Sequence, residues 1–278
     1  MLRGPLAFVG LALALATLIA WATTHDRLSR WSLSGLAWAG VTTILCVGPF
    51  VESTPRTRLY ALELASGDLV WSNRRAGVDP VLVGDDLVVT DAAGGSLVRL
   101  DPATGHELGR DPITGTTSVP ADSAAADESS ISVDGGAVRA TSADGSERWV
   151  RTFPGERALA VAVAGDTAYA YVATPGVDEV DGAAIVKLDA TDGSIRWRVA
   201  LPQDMTAQSN APAIGANGDV VVVAGGERIG AFDADDHELQ WSENVVKLGK
   251  SRGYALPGAV QQIVMNDTHV FLSTTPVG

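Results

Sequence analysis

Apolar and polar positions alternate along most of the chain in runs of strand length, each run broken by Gly, Asn or Asp. VGDDLVVTD (83–91), AGDTAYAYV (164–172), NGDVVVVAG (217–225) and MNDTHVFLS (265–273) each set a Gly or Asn and an Asp before alternating apolar residues. That is the pattern of a hairpin turn feeding a strand. Further along each unit a second signature recurs. LYALELASGDLVW (59–71) and IVKLDATDGSIRW (185–197) both run from an apolar strand through a polar turn to a tryptophan.

Aligned on the turn glycine, the copies fall at Gly67, Gly105, Gly145 and Gly193, with His237 in the fifth. Four residues later stand Trp71, Gly109, Trp149, Trp197 and Trp241. The chain holds seven Trp in 278 residues, so four in one register is a true repeat. Four residues before each turn stand Glu63, Asp101, Thr141, Asp189 and Asp233, whose side-chain oxygens can close the turn on backbone N–H groups. Each unit reads as four antiparallel strands, the period of a propeller blade. Such a sheet has two faces and buries both only between neighbours, and Trp on its outer strand fills the widening wedge.

AFDADDHELQW (231–241) and LDATDGSIRW (188–197) resemble the tryptophan-docking motif of PQQ-like β-propellers of the quinoprotein and BamB type. LDPATGHELG (100–109) keeps the Asp, Thr and Gly but has Gly109 in place of Trp. The resemblance spans nearly all of residues 31–278 and implies an all-β propeller of four-stranded blades. Blade number stays open. Residues 259–274 supply two strands of a further blade, and an outer strand at Trp31 would complete it, closing six blades through the joined termini. The alternative is an incomplete ring of seven or eight. Because Gly109 lacks the indole and DPITGTTSVPADSAAADESS (111–130) follows it, that sector is expected to be the least well packed.

Residues 5–22, apolar and uncharged after Arg3 and ending Ala-Trp-Ala, read as a signal peptide or membrane anchor. The domain expectation is therefore 1–22 as that segment and 23–278 as the propeller. Residues 31–50 form a second apolar stretch. LAWAGVTTILCVG there aligns with AVAGDTAYAYVAT before Trp197, so they read as strands of the first blade, with a second membrane span as the alternative. Arg27 and Arg30 follow the first segment while only Arg3 precedes it, which leaves orientation unset.

Composition narrows the chemistry. A net charge of −13 repels polyanions, so nucleic acid is not an expected partner. A single cysteine, Cys46, excludes an intramolecular disulfide and a Cys-based metal cluster. The resemblance implies, for its quinoprotein enzymes, a vicinal Cys pair against PQQ and a calcium held by acidic and amide groups. Cys46 alone cannot make the pair. FDADDHE (232–238) reads as a solvated turn, VDEVDG (177–182) as a longer inter-strand loop, and the sequon at Asn266 as a hairpin turn. No catalytic or metal-binding residue is assigned. The expected function is a non-catalytic cell-envelope scaffold that binds proteins through its loop faces, extracytoplasmic and membrane-anchored or secreted, without a cofactor. A quinoprotein dehydrogenase using PQQ with calcium, or a relic of one, is the alternative, and a ligand-sensing domain of a membrane protein a further one.

Overall fold

A computed structural model describes residues 58–73, 78–91, 95–113, 130–175, 180–206, 212–225, 228–244 and 260–274. The chain divides into two compact units, Met1–Thr54 and Pro55–Gly278, and the described residues all belong to the second. Among the described residues the secondary structure is antiparallel strand, apart from one short 3-10 helix at Gln203–Met205.

Chain order assigns strands to sheets in runs. The second sheet is β3 (Val78–Val83), β4 (Asp86–Thr90), β5 (Ser96–Leu100) and β6 (Glu107–Pro112). The third is β7 (Ser130–Asp134), β8 (Ala137–Thr141) and β9 (Glu147–Arg151), three strands among the described residues. The fourth is β10 (Arg157–Ala164), β11 (Thr167–Pro175), β12 (Val180–Asp189) and β13 (Ile195–Ala200). The fifth is β14 (Ala213–Ala216), β15 (Val220–Gly225), β16 (Arg228–Asp233) and β17 (Leu239–Asn244). The four Gly/Asn-Asp turns join β3 to β4, β10 to β11, β14 to β15 and β18 to β19, where β18 is Val260–Met265 and β19 is His269–Thr274.

The first sheet is assembled differently from the expected closure through Trp31. Its order is β18-β19-β1-β2, with β1 at Arg58–Glu63 and β2 at Leu69–Asn73. β19 pairs with β1 from Arg58↔Thr274 to Glu63↔His269. The C-terminal hairpin is thus completed by the strands around Trp71, not by one around Trp31, and the described residues form five sheets and not six. The two inner places that alignment gave to residues 31–50 are filled by β18 and β19. The reason is local to β1, whose Leu59, Tyr60, Ala61 and Leu62 are all buried, so both faces and both edges must be covered. Residues 5–22, 31–50 and Cys46 lie outside the described residues. Among those described, no helix is long and apolar enough to cross a membrane.

The core is four separate clusters, each lying between two sheets. Val138, Ala168, Ala170 and Leu188 lie between the third and fourth, and Tyr171, Ile185, Val221 and Val223 between the fourth and fifth. Val222, Ile229, Leu62 and Val270 join the fifth to the first, and Leu59, Phe271, Leu87 and Val89 the first to the second. Alternation along each strand sends successive residues to the two neighbours, so one strand feeds two clusters.

Candidate binding surface

One end of the sheets is closed by short copied turns, and each docking tryptophan donates to the turn of the next sheet. Trp71 Nε1 donates to the Pro102 carbonyl at 2.8 Å, and Trp149 Nε1 to Ala190 at 3.0 Å. Trp197 Nε1 donates to Ala234 at 3.1 Å, and Trp241 Nε1 to Leu64 at 2.7 Å. The acceptor is always the residue after the turn's first acid. That single position was missing from the sequence reading, though its spacing repeats as regularly as the indoles do.

The turn glycines make room for the indole. A Cβ on Gly67 would stand 2.6 Å from the Trp241 ring, on Gly105 2.6 Å from Trp71, and on Gly193 2.5 Å from Trp149. All three have positive φ, where glycine is favoured for a second reason. In the fifth sheet His237 takes the position with φ 55°, and its ring lies 5.4 Å from that of Trp197. Trp71 and Trp241 are 7% and 9% exposed, whereas Trp149 and Trp197 are only partly buried.

The acids hold the turns in shape. Asp101 Oδ1 accepts the N–H groups of Ala103 and Thr104, Asp189 Oδ1 that of Thr191, and Asp233 Oδ1 those of Asp235 and Asp236. A hydrogen bond from Arg196, then the Thr191 N–H, holds the Asp189 carboxyl below its ordinary range; the two backbone N–H groups do so for Asp233. A carboxylate depressed in the folded chain adds stability that is complete above the unfolded value and lost as pH falls through the folded one. We therefore expect the melting temperature to fall below about pH 4. Asp189→Asn and Asp233→Asn together should flatten that fall in a calorimetric pH series, and an unchanged slope would show that the turns do not set it.

The third sheet departs from the pattern. Its turn runs from Ser142 N–H to the Ser146 carbonyl, spanning four positions where Asp101 to His106 spans five. Gly145 N–H donates to Ser142 and not to the residue before it, and nothing lies within 4 Å of a Cβ built on Gly145. Thr141 does not close this turn, contrary to the alignment, because the lost residue moves Ser142 into that place; its Oγ1 pairs with Ser130 Oγ at 2.7 Å. Gly109, on β6 of the second sheet, has Arg99 Nη2 2.9 Å from a built Cβ.

At the opposite end the connections vary widely. They run over 74–77, 91–95, 135–136, 152–156, 176–179, 201–212, 226–227 and 245–259. Only the first half of VDEVDG lies in one of them, since β12 already begins at Val180, and residues 176–179 are outside the described ones. Two of these connections carry fixed contacts. Glu156 takes both Nη groups of Arg198, which holds its carboxyl below the ordinary range against burial, and Thr174 Oγ1 reaches it at 3.4 Å. The 3-10 helix folds over the junction of the fourth and fifth sheets with Met205 fully buried. Tyr171 Oη donates to the Met205 carbonyl at 3.3 Å, and Arg228 pairs with Asp204 at 3.2 Å. A Cβ on Gly225 would meet that carbonyl at 2.2 Å. Gly225→Ala is expected to cost about 1–3 kcal/mol by pushing the helix off, read as faster amide exchange at residues 203–206 than in the turns at the other end.

Residues that could carry chemistry do not converge. Among the described residues no three His, Cys, Asp or Glu side chains are grouped to hold a metal ion. Cys46, the one Cys of the chain, lies outside the described residues, and a single Cys cannot make the vicinal pair that the resemblance implies for its quinoprotein enzymes. His106, His237 and His269 sit at separate turns, and Asn266 spends its Oδ1 on the N–H groups of Thr268 and His269. Burial, then the charges of Asp235, Asp166 and Asp219, pushes the Tyr169 hydroxyl up to about 12, so it stays protonated. Lys187 reaches the Ala234 carbonyl at 2.8 Å, sharing it with Trp197.

Comparison with known proteins gives a match to the family described as outer membrane protein assembly factor BamB, over residues 19–157 and again over 134–274. Among solved structures the chain is similar to BamB from Moraxella catarrhalis, at 13% identity and a TM-score of 0.27, covering 79% of this chain and 76% of that one. It is also similar to a protein of unknown function from Bacteroides caccae, at 10% identity and a TM-score of 0.33, covering 76% of this chain and 62% of that one. No curated protein matches the sequence.

Proposed function

The chain belongs to the BamB family of PQQ-like repeat propellers, and from that premise we propose that it is a non-catalytic scaffold of the cell envelope that binds other proteins through its variable loop end. The observation that carries this is the division of labour between the two ends of the sheets. The copied turns are occupied with their neighbours' indoles, so their side chains serve internal docking. The other end presents connections of unequal length on a rigid base, which is where loops carry recognition. β1 begins and β19 ends at this same loop end. In this reading residues 1–22 are a signal peptide or anchor, residues 23–278 make up the propeller domain, and the propeller is extracytoplasmic.

Photo-crosslinking in native membranes tests the reading. A benzophenone residue at the exposed loop-end positions Pro154 or Gln203 should give discrete protein adducts, and one at the turn-end positions Asp85 or Asp267 should not. Adducts from the turn end alone would overturn the assignment of the surface. A stoichiometric complex with added PQQ and calcium that reduces a dye with alcohols would overturn the non-catalytic role.

A further inference from the structure

Five Asn stand in the chain, and only Asn266 is followed two positions later by Ser or Thr. Asn266, Asp267 and Thr268 lie in the turn between β18 and β19, at the copied-turn end of the first sheet. Asp267 and Thr268 are exposed and Asn266 is half-buried. Asn266 Oδ1 accepts the N–H groups of Thr268 and His269 at 3.0 and 2.7 Å. It also accepts the Thr268 hydroxyl at 3.1 Å, and His269 Nδ1 lies 2.8 Å from that same hydroxyl oxygen.

The fifth sheet shows how much of this the turn itself requires. Between β14 and β15, Asn217 Oδ1 accepts the N–H groups of Asp219 and Val220 at 3.2 and 3.0 Å, the same cap. There Gly218 and Asp219 follow, so the cap forms without a hydroxyl two positions on. Asn217 also commits its Nδ2, which donates to the Asn266 carbonyl at 3.4 Å. Capping accounts for Asn266 Oδ1 but not for Thr268, whose hydroxyl is held against the carboxamide that carries Nδ2. An Asn and a Thr hydroxyl two positions on, set together on a surface turn, are the groups that oligosaccharide transfer reads.

We propose that Asn266 is a site of N-linked glycosylation. The donor is an oligosaccharide carried on a polyisoprenoid diphosphate. Asn266 Nδ2 bonds to the anomeric carbon of its first sugar, the bond from that carbon to the diphosphate oxygen breaks, and the lipid diphosphate leaves with the electron pair. One Nδ2 proton passes to a base of the transferase. The proposal rests on the extracytoplasmic placement above, and a sugar on this turn leaves the loop end clear for a protein partner.

Peptide mass spectrometry of the full-length chain isolated from its native cells tests it. The peptide holding Asn266 should carry a saccharide mass, and the peptide holding Asn217 should not. Occupancy should fall to background in Asn266→Gln and in Thr268→Val, and persist in Thr268→Ser, which keeps the hydroxyl. A bare Asn266 in the unsubstituted chain would overturn the proposal, as would full occupancy in Thr268→Val. Asp85→Cys, in a chain also carrying Cys46→Ser, reports placement separately, because position 85 is exposed and should react with a membrane-impermeant maleimide on intact cells. Bare Asn266 with labelling overturns glycosylation alone, and bare Asn266 without labelling overturns the placement as well.

Discussion

Trp241→Ala is expected to destabilise the propeller by about 3–5 kcal/mol, the range for emptying a buried aromatic site. At this chain length that corresponds to a fall in melting temperature of roughly 10 °C. Trp241 is the indole that ties the last complete sheet to the first, and its N–H donates to Leu64 across 177 positions of sequence. Its ring also packs on Gly67 and within the cluster of Val222, Ile229 and Leu62. Trp197→Ala should cost clearly less, because that indole is only partly buried and rests on His237 in place of a glycine. Calorimetry of the two variants side by side is the check, and equal losses would show that position in the array, not burial, governs docking.

The second large effect separates two properties of the turn glycines. Gly67 and Gly145 have nearly the same φ, 77° and 79°. Ala at either must adopt a left-handed conformation, at about 1–2 kcal/mol. At Gly67 the added methyl also meets the Trp241 ring at 2.6 Å, whereas at Gly145 it enters open space. Overpacking adds about 1–3 kcal/mol, so Gly67→Ala should cost about 2–5 kcal/mol in total. Gly145→Ala should show the conformational part alone. Denaturant midpoints at unchanged slope measure both, and equal midpoints would remove docking from the account of why glycine stands there.

What could be read in the sequence was what is local. A hairpin turn and an acid-closed turn are written within a few residues, and AGDTAYAYV or LDATDGSIRW carries its whole instruction in one stretch. The indole register was legible for the same reason. Its partner was not, because the Leu64, Pro102, Ala190 and Ala234 carbonyls are backbone groups that any residue supplies. The pairing of β19 with β1 leaves no local mark either. Residues 31–50 present an apolar pattern good enough to claim the same place, and only the covering of both edges of β1 decides between the claimants. Thr141 went astray through one deleted residue, which alignment on Gly145 could not see. Met205 gave no signal because a lone methionine fits no period, and the space for it is made by Gly225 and Gly230, far away in sequence.

The shared first sheet also imposes an order in time. β1 and β2 are made before every other described strand, yet β1 has a vacant edge until β18 and β19 follow near the other end of the chain. Local hairpins can form as they emerge, but this pairing waits for all the other described strands and closes the longest loop among them. During synthesis the edge of β1 is therefore open to other strands until that hairpin is made. The β18–β19 hairpin decides whether β1 finds its native partner.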